Sequence, residues 1–186
     1  MNEAPGPPSA AAAPPDGGAA GRLTAALDAV STGAGWLAGW LIVPMTLAVA
    51  YEVVARYVFN APTIWAYDLT YMLYGAQFML AAAYTLQRGG HIRTDVFYER
   101  WSPRTRATVD ALGYLLFFFP GLLFVLYAGG VEAWHAWQIT ERSDATPWRP
   151  VLYPLKAVIP LSALLLLLQG VSEVVKCWQV IRRGAR

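Results

Sequence analysis

The chain has 186 residues, 56% of them hydrophobic and only 14% charged, with 14 Lys and Arg against 12 Asp and Glu. A soluble domain carries roughly 25% charged residues, so this composition excludes an ordinary one and implies apolar surface hidden in lipid. A net charge of +2 is too small for a nucleic-acid footprint, and a single cysteine, Cys177, excludes an intramolecular disulfide. No Cys/His group has metal-ligand spacing, and no cofactor is expected.

Ala, Pro and Gly make up 16 of the first 21 residues, a low-complexity composition that cannot bury a core. Residues 1–32 are therefore expected to form a disordered tail. No basic start precedes an apolar run there, so it does not read as a secretory signal.

Four apolar segments follow, near 35–58, 64–86, 111–133 and 151–174, each meeting the roughly 20 residues that cross a bilayer. A lipid-facing backbone must satisfy its own hydrogen bonds, and the alternating pattern of a membrane barrel does not occur. The expected fold class is an all-α integral membrane protein with four transmembrane helices in residues 33–178. A basic tail, residues 179–186, closes the chain.

The first segment holds a GxxxG pair, Gly35 and Gly39, consistent with close helix packing. Its far end carries Glu52 and Arg56, four apart with the acid first, which allows them to pair along one face. Asp68, at the start of the second segment, is placed to reach Arg56. Charge inside a membrane is costly, so Glu52, Arg56, Asp68, Glu132 and Lys156 need partners or water. All five lie toward the same ends of their helices, which favours a structural ion network over a proton or ion relay. Gln77, near the middle of the second segment, is the one strongly polar side chain at depth, and its amide is expected to meet another helix or subunit. Pro44, Pro120 and Pro160 interrupt the apolar segments and predict kinks.

The loop from Arg88 to Arg106 mixes arginines with Ile92, Val96, Phe97, Tyr98 and Trp101. Residues 93–100 read as a short interfacial helix between the second and third spans, its arginines near lipid phosphates, or else as an ordinary basic loop. Ser102 and Pro103 look like an N-cap and first helical position. An even number of spans puts both termini on the side of this loop. That side holds ten Lys and Arg and the other holds four, so both termini are expected in the cytoplasm. Trp36, Trp40, Trp101 and Trp178 then fall near the inner interface, and Trp65, Trp134, Trp137 and Trp148 near the outer one.

Three gapped motifs now stand out: Arg56-Tyr57-Val58-Phe59-Asn60-Ala61-Pro62 with Trp65 and Asp68; Gly90-His91-Ile92-Arg93-Thr94-Asp95-Val96; and Ser102-Pro103-Arg104-Thr105-Arg106 with Asp110. In this order the chain from about Gly35 to Lys176 resembles the small membrane subunit of tripartite ATP-independent periplasmic (TRAP) transporters, a DctQ-like small permease. Asp68 stands where that family more often has Glu, which keeps a carboxylate in place. The resemblance implies a multi-pass protein of the bacterial inner membrane that is not an enzyme. Its partners would be a large TRAP membrane subunit, a periplasmic solute-binding protein and membrane lipids, with no nucleic acid. The large subunit would carry the sodium and substrate sites, and this chain would serve as its scaffold during uptake of a carboxylate-type solute. His91, Arg93, Arg100 and Arg104 would contact the membrane surface or the large subunit. Glu141, Arg142, Asp144 and Arg149, in the third loop, offer charges on which the binding protein could dock.

Two other classes compete. A haem-binding membrane subunit needs axial ligands, but His91 and His135 sit on opposite sides of the membrane. A small proton-coupled homodimeric exporter would use Glu52, whose position near a helix end fits poorly with a midplane site.

Overall fold

The computed structural model describes residues 18–89 and 101–183. Among them the regular elements are all helical: α1 (Ala19–Trp40), α2 (Ile42–Tyr57), α3 (Ala66–Gln87), α4 (Pro103–Gly113), a π-helical segment (Tyr114–Phe118), α5 (Phe119–Gln138) and α6 (Tyr153–Arg183). The one extended pairing among the described residues is an isolated bridge between Arg142 and Val151. The helical stretches Ala19–Tyr57, Pro103–Gln138 and Tyr153–Arg182 are long and apolar enough to cross a membrane. Helix α3 has 22 residues, about 33 Å at 1.5 Å per residue, but Tyr67, Tyr71, Tyr74, Gln77 and Tyr84 dilute its apolar character.

Helix α6 packs against α1, α3, α4 and α5, and α3 also packs against α1 and α2. The buried positions are mostly small: Ala38, Ala83, Ala107, Ala136 and Ala163 are at most 1% exposed. Large apolar side chains such as Leu47, Phe117, Phe124 and Leu161 lie on the perimeter. This distribution suits helices in lipid, where hydrocarbon outside is as apolar as leucine and close backbone approach drives association. Gly35 shows the closeness, since a Cβ there would lie 2.5 Å from Tyr84 Cγ.

Each interior proline has its own outcome. Pro44 cannot donate to the Trp40 carbonyl and its ring crowds that group, and the helix breaks at Leu41 between α1 and α2. Pro120 would strike the Leu116 carbonyl, and the π-helical segment Tyr114–Phe118 absorbs the mismatch. Pro160 lies inside α6, which runs on without interruption. The start of α4 is as its sequence suggests: Pro103 occupies the first turn and Ser102 Oγ accepts from the Thr105 N–H at 3.2 Å.

At both ends of the described residues helix runs into stretches expected as tails. Helix α1 begins at Ala19, inside the stretch 1–32 read as disordered, because Ala19, Ala20, Leu23, Ala25, Ala26 and Leu27 are strong helix formers. Its face with Gly21, Thr24 and Ser31 is buried. Helix α6 likewise continues to Arg183, past the expected boundary at 178. The interfacial helix expected over residues 93–100 lies outside the described residues.

Candidate functional site

The polar groups gather at the two ends of the helices. At the end carrying the α2–α3 turn and the α5–α6 loop, which we term the hairpin end, three carboxylate centres form. Glu52 in the penultimate turn of α2 accepts from Arg56 Nε at 2.8 Å. Its other oxygen accepts from the Thr63 N–H at 2.9 Å and from the Thr63 hydroxyl. The turn between is shaped by Asn60 at φ 51°, a left-handed conformation that asparagine tolerates better than most residues. The Ala61 N–H then returns to the Ala55 carbonyl at 2.9 Å.

Asp68 is 2% exposed in the first turn of α3, where the helix dipole favours a carboxylate. It accepts from Ser143 Oγ at 3.0 Å and from the Thr146 hydroxyl. The bonds described for Asp68 thus go to the α5–α6 loop and not, as its sequence position suggested, to Arg56.

The third centre is Lys156 in the first turn of α6, which donates to Glu132 Oε1 at 2.7 Å and to Glu141. The backbone aims Glu141 at it. Helix α5 ends with the Thr140 N–H bonded to the Trp137 carbonyl and the Glu141 N–H bonded to the Ala136 carbonyl, the paired bonds of a Schellman cap. The cap puts Thr140 at φ 49°, a strained value for a β-branched residue. Leu152 N–H to the Glu141 carbonyl and Ser143 N–H to the Pro150 carbonyl, both 2.8 Å, close the loop into a hairpin.

The opposite, terminal end holds a cluster that the sequence reading did not find. Lys176 of α6 contacts Asp28 Oδ2 of α1 at 3.0 Å and Glu173 Oε1 at 2.8 Å. Gln169, fully buried, donates to Asp28 Oδ1 at 3.0 Å and to Glu173 Oε1 at 3.1 Å, and accepts from Ser31 Oγ at 2.6 Å. Ser172 Oγ donates to Asp28 Oδ1 at 2.8 Å. Beside them Thr32 Oγ1 donates to Gln87 Oε1 at 3.1 Å, tying α1 to α3. The available signal was the run Gln169, Ser172, Glu173, Lys176, whose spacing places four polar groups on one helix face.

Between the two ends, Gln77 has its Oε1 buried with no hydrogen-bond partner among the described residues. A groove of about 450 Å³ runs along α1 and α3, lined by Gly35, Trp36, Gly39, Trp40, Val43 and Tyr84. Of the loop charges, Asp144 and Arg149 remain outward as an ion pair at 2.6 Å, and Arg142 Nη1 donates to the Arg149 carbonyl. Glu141 is instead drawn toward α6 by Lys156. Arg104 is exposed on α4. His91, Arg93 and Arg100 lie outside the described residues.

The family described as Tripartite ATP-independent periplasmic transporters, DctQ component, matches residues 45–180. The chain belongs to this family. A comparison with curated proteins finds no match. The matched region of this DctQ component runs from the start of α2 nearly to the end of α6. It includes Glu52, Asp68, Lys156 and Lys176, while Asp28 and Ser31 on α1 lie before it. DctQ components are transporter subunits and not an enzyme family, and the three apolar helical stretches agree with a membrane protein.

Proposed function

We propose that the chain is the small permease subunit of a TRAP-type secondary transporter in the bacterial inner membrane, acting as a scaffold for the large membrane subunit. The large subunit then moves a carboxylate-type solute, delivered by a periplasmic binding protein, as a symporter driven by a sodium gradient. The observation that carries the scaffold reading is the commitment of polar groups to one another. Glu52, Asp68, Lys156 and Lys176 each bond to partners within the chain at a helix end, an arrangement that fixes helices in place.

In this reading the chain crosses the membrane four times. Helix α3 is the fourth span: its length matches a bilayer, and α1, α2 and α6 shield part of its polar surface. The ten-to-four distribution of Lys and Arg puts both termini in the cytoplasm and the Asp144–Arg149 hairpin outside, where its exposed ion pair presents a docking surface to the binding protein.

Reconstitution tests the role. Liposomes holding only this chain should show no uptake, and those with the large subunit and the loaded binding protein should accumulate solute under an inward sodium gradient. Uptake by this chain alone would refute the scaffold reading in favour of the exporter using Glu52. The geometry weighs against that rival, because Glu52 is held by Arg56 and Thr63 near the end of α2, away from the midplane position that alternating access uses.

A further inference from the structure

The groove along α1 and α3 begins where polar contacts give way to apolar surface. On α1 the side chains of Asp28, Ser31 and Thr32 are all hydrogen-bonded. One turn further on, the groove starts at Gly35 and runs past Trp36, Gly39 and Trp40 to Val43. The Thr32–Gln87 bond and the approach of Tyr84 to Gly35 show that α1 and α3 are antiparallel here. Arg88, at the terminal end of α3, therefore lies level with the polar part of α1, and the groove descends from it along about 12 Å of helix. Gly39 is its open floor, since a Cβ there would meet nothing within 4 Å. The exposed rings of Trp36 and Trp40, with centroids 6.2 Å apart, form its rim.

Arg88 puts a positive charge at the mouth of this groove. Its side chain folds back one turn, so that Nε donates to the Tyr84 hydroxyl at 3.1 Å and the guanidinium carbon lies 5.2 Å from the centre of the Tyr84 ring. Tyr84 is itself a wall of the groove. Lys156 and Lys176 each hold two acids, but Arg88 is exposed and has no carboxylate partner among the described residues. Its two terminal nitrogens remain for an anion, in the planar fork that fits a phosphate. Arg182, at the same end, also rides on an aromatic ring, 5.1 Å from the centre of Trp178, yet Trp178 is not part of the groove's lining.

The dimensions choose between a chain and a helix as occupant. About 450 Å³ spread over about 12 Å gives a cross-section of about 40 Å², whereas a helix 10–12 Å across needs about 80 Å² or more. A single hydrocarbon chain fits. The groove thus complements a molecule with an anionic head and a thin apolar body, and apolar helices long enough to cross a membrane place it beside such molecules.

We propose that this groove binds an anionic phospholipid, whose phosphate is held by Arg88 and one of whose acyl chains lies over Gly39 against Trp36, Trp40 and Val43. The site needs only that the helices cross a bilayer. It stands or falls independently of the subunit role given above.

Native mass spectrometry of the purified full-length chain, with phosphatidylglycerol or phosphatidylcholine added, tests both halves of the site. One phosphatidylglycerol should be retained more tightly than phosphatidylcholine. Arg88→Gln should weaken phosphatidylglycerol binding at least about tenfold, the effect of losing a hydrogen bond between charged groups, and Arg182→Gln should leave it unchanged. Gly39→Leu fills the floor and should lower retention of both lipids. If Arg182→Gln weakens binding as much as Arg88→Gln, the lipid follows surface charge in general and the site is wrong. If Gly39→Leu keeps the native thermal midpoint and binds phosphatidylglycerol as before, the phosphate is held without the groove, and the proposal is overturned in favour of a free-anion site. Photocross-linking needs no change at Gly39. With p-benzoylphenylalanine at Trp40, irradiation of membranes should give adducts with phospholipid, whereas an adduct with a protein chain, or none, would overturn the lipid as occupant.

Discussion

Lys176 of α6 is shared by two carboxylates from different helices, Asp28 of α1 at 3.0 Å and Glu173 one turn before it at 2.8 Å. Gln169 and Ser172 donate to the same acids, so the buried charges are both paired and hydrogen-bonded. Removing one partner from such a group leaves an uncompensated buried charge. Lys176→Met should therefore destabilise the helix bundle by about 3–5 kcal/mol, read as a lower midpoint in detergent denaturation. Adding Asp28→Asn should cost less than the sum of the two single changes, because one of the two charges that lost their partner is then also gone, while Glu173 remains. Additive effects would show that the pair does not couple α1 to α6.

Asp68 should control the order of the α5–α6 hairpin. Its carboxylate accepts the hydroxyls of Ser143 and Thr146, and hydrogen bonds to a charged group are worth about 1.5–3 kcal/mol each. Asp68→Ala should raise the open population of the loop at least ~10-fold. Limited trypsin cleavage at the Arg142–Ser143 bond measures it. An unchanged cleavage rate would mean that the backbone bonds at Glu141, Ser143 and Leu152 hold the hairpin unaided.

The two glycines of the GxxxG pair should behave differently. A methyl group at Gly35 meets Tyr84 Cγ at 2.5 Å, whereas one at Gly39 meets nothing within 4 Å. Gly35→Ala should push α1 from α3 at a cost of about 1–3 kcal/mol. Gly39→Ala should be neutral or stabilising by up to about 1 kcal/mol, through helix propensity alone. Thermal denaturation of both variants in one detergent gives the comparison.

The topology proposed from the charge distribution can be read by labelling. In a Cys177→Ser background, an impermeant maleimide added to intact spheroplasts should label Ala145→Cys in the hairpin and leave Ala20→Cys and Arg182→Cys unlabelled until the membrane is permeabilised. Labelling of either end from outside would invert or break the four-span arrangement.

Several features were legible along the chain because they depend on near neighbours. The Ser102–Pro103 start of α4 is set within one helical turn, and the spacing of Glu52 and Arg56 brings them together on any helix. Apolar content is additive along a stretch, so Leu, Val and Phe marked three of the four expected segments, all but 64–86, as helices apolar enough to cross a membrane. Apolar content alone also set the expected start near Gly35, and so missed that α1 is helical from Ala19 onward.

Contacts between distant segments were decided only when the helices packed. Asp28 belonged by composition to a tail, yet Gln169, 141 residues away, is its hydrogen-bond partner. Asp68 had a plausible cation nearby in Arg56 and instead bonds to Ser143, 75 residues on. Glu141 looked like a loop charge until the cap at Thr140 turned it toward Lys156. A sequence records which residues share a face of one helix, because helical periodicity is local. Which faces meet, and at what depth, follows from the approach of small residues such as Gly35 and Gly129, and the polar partners are chosen by that approach.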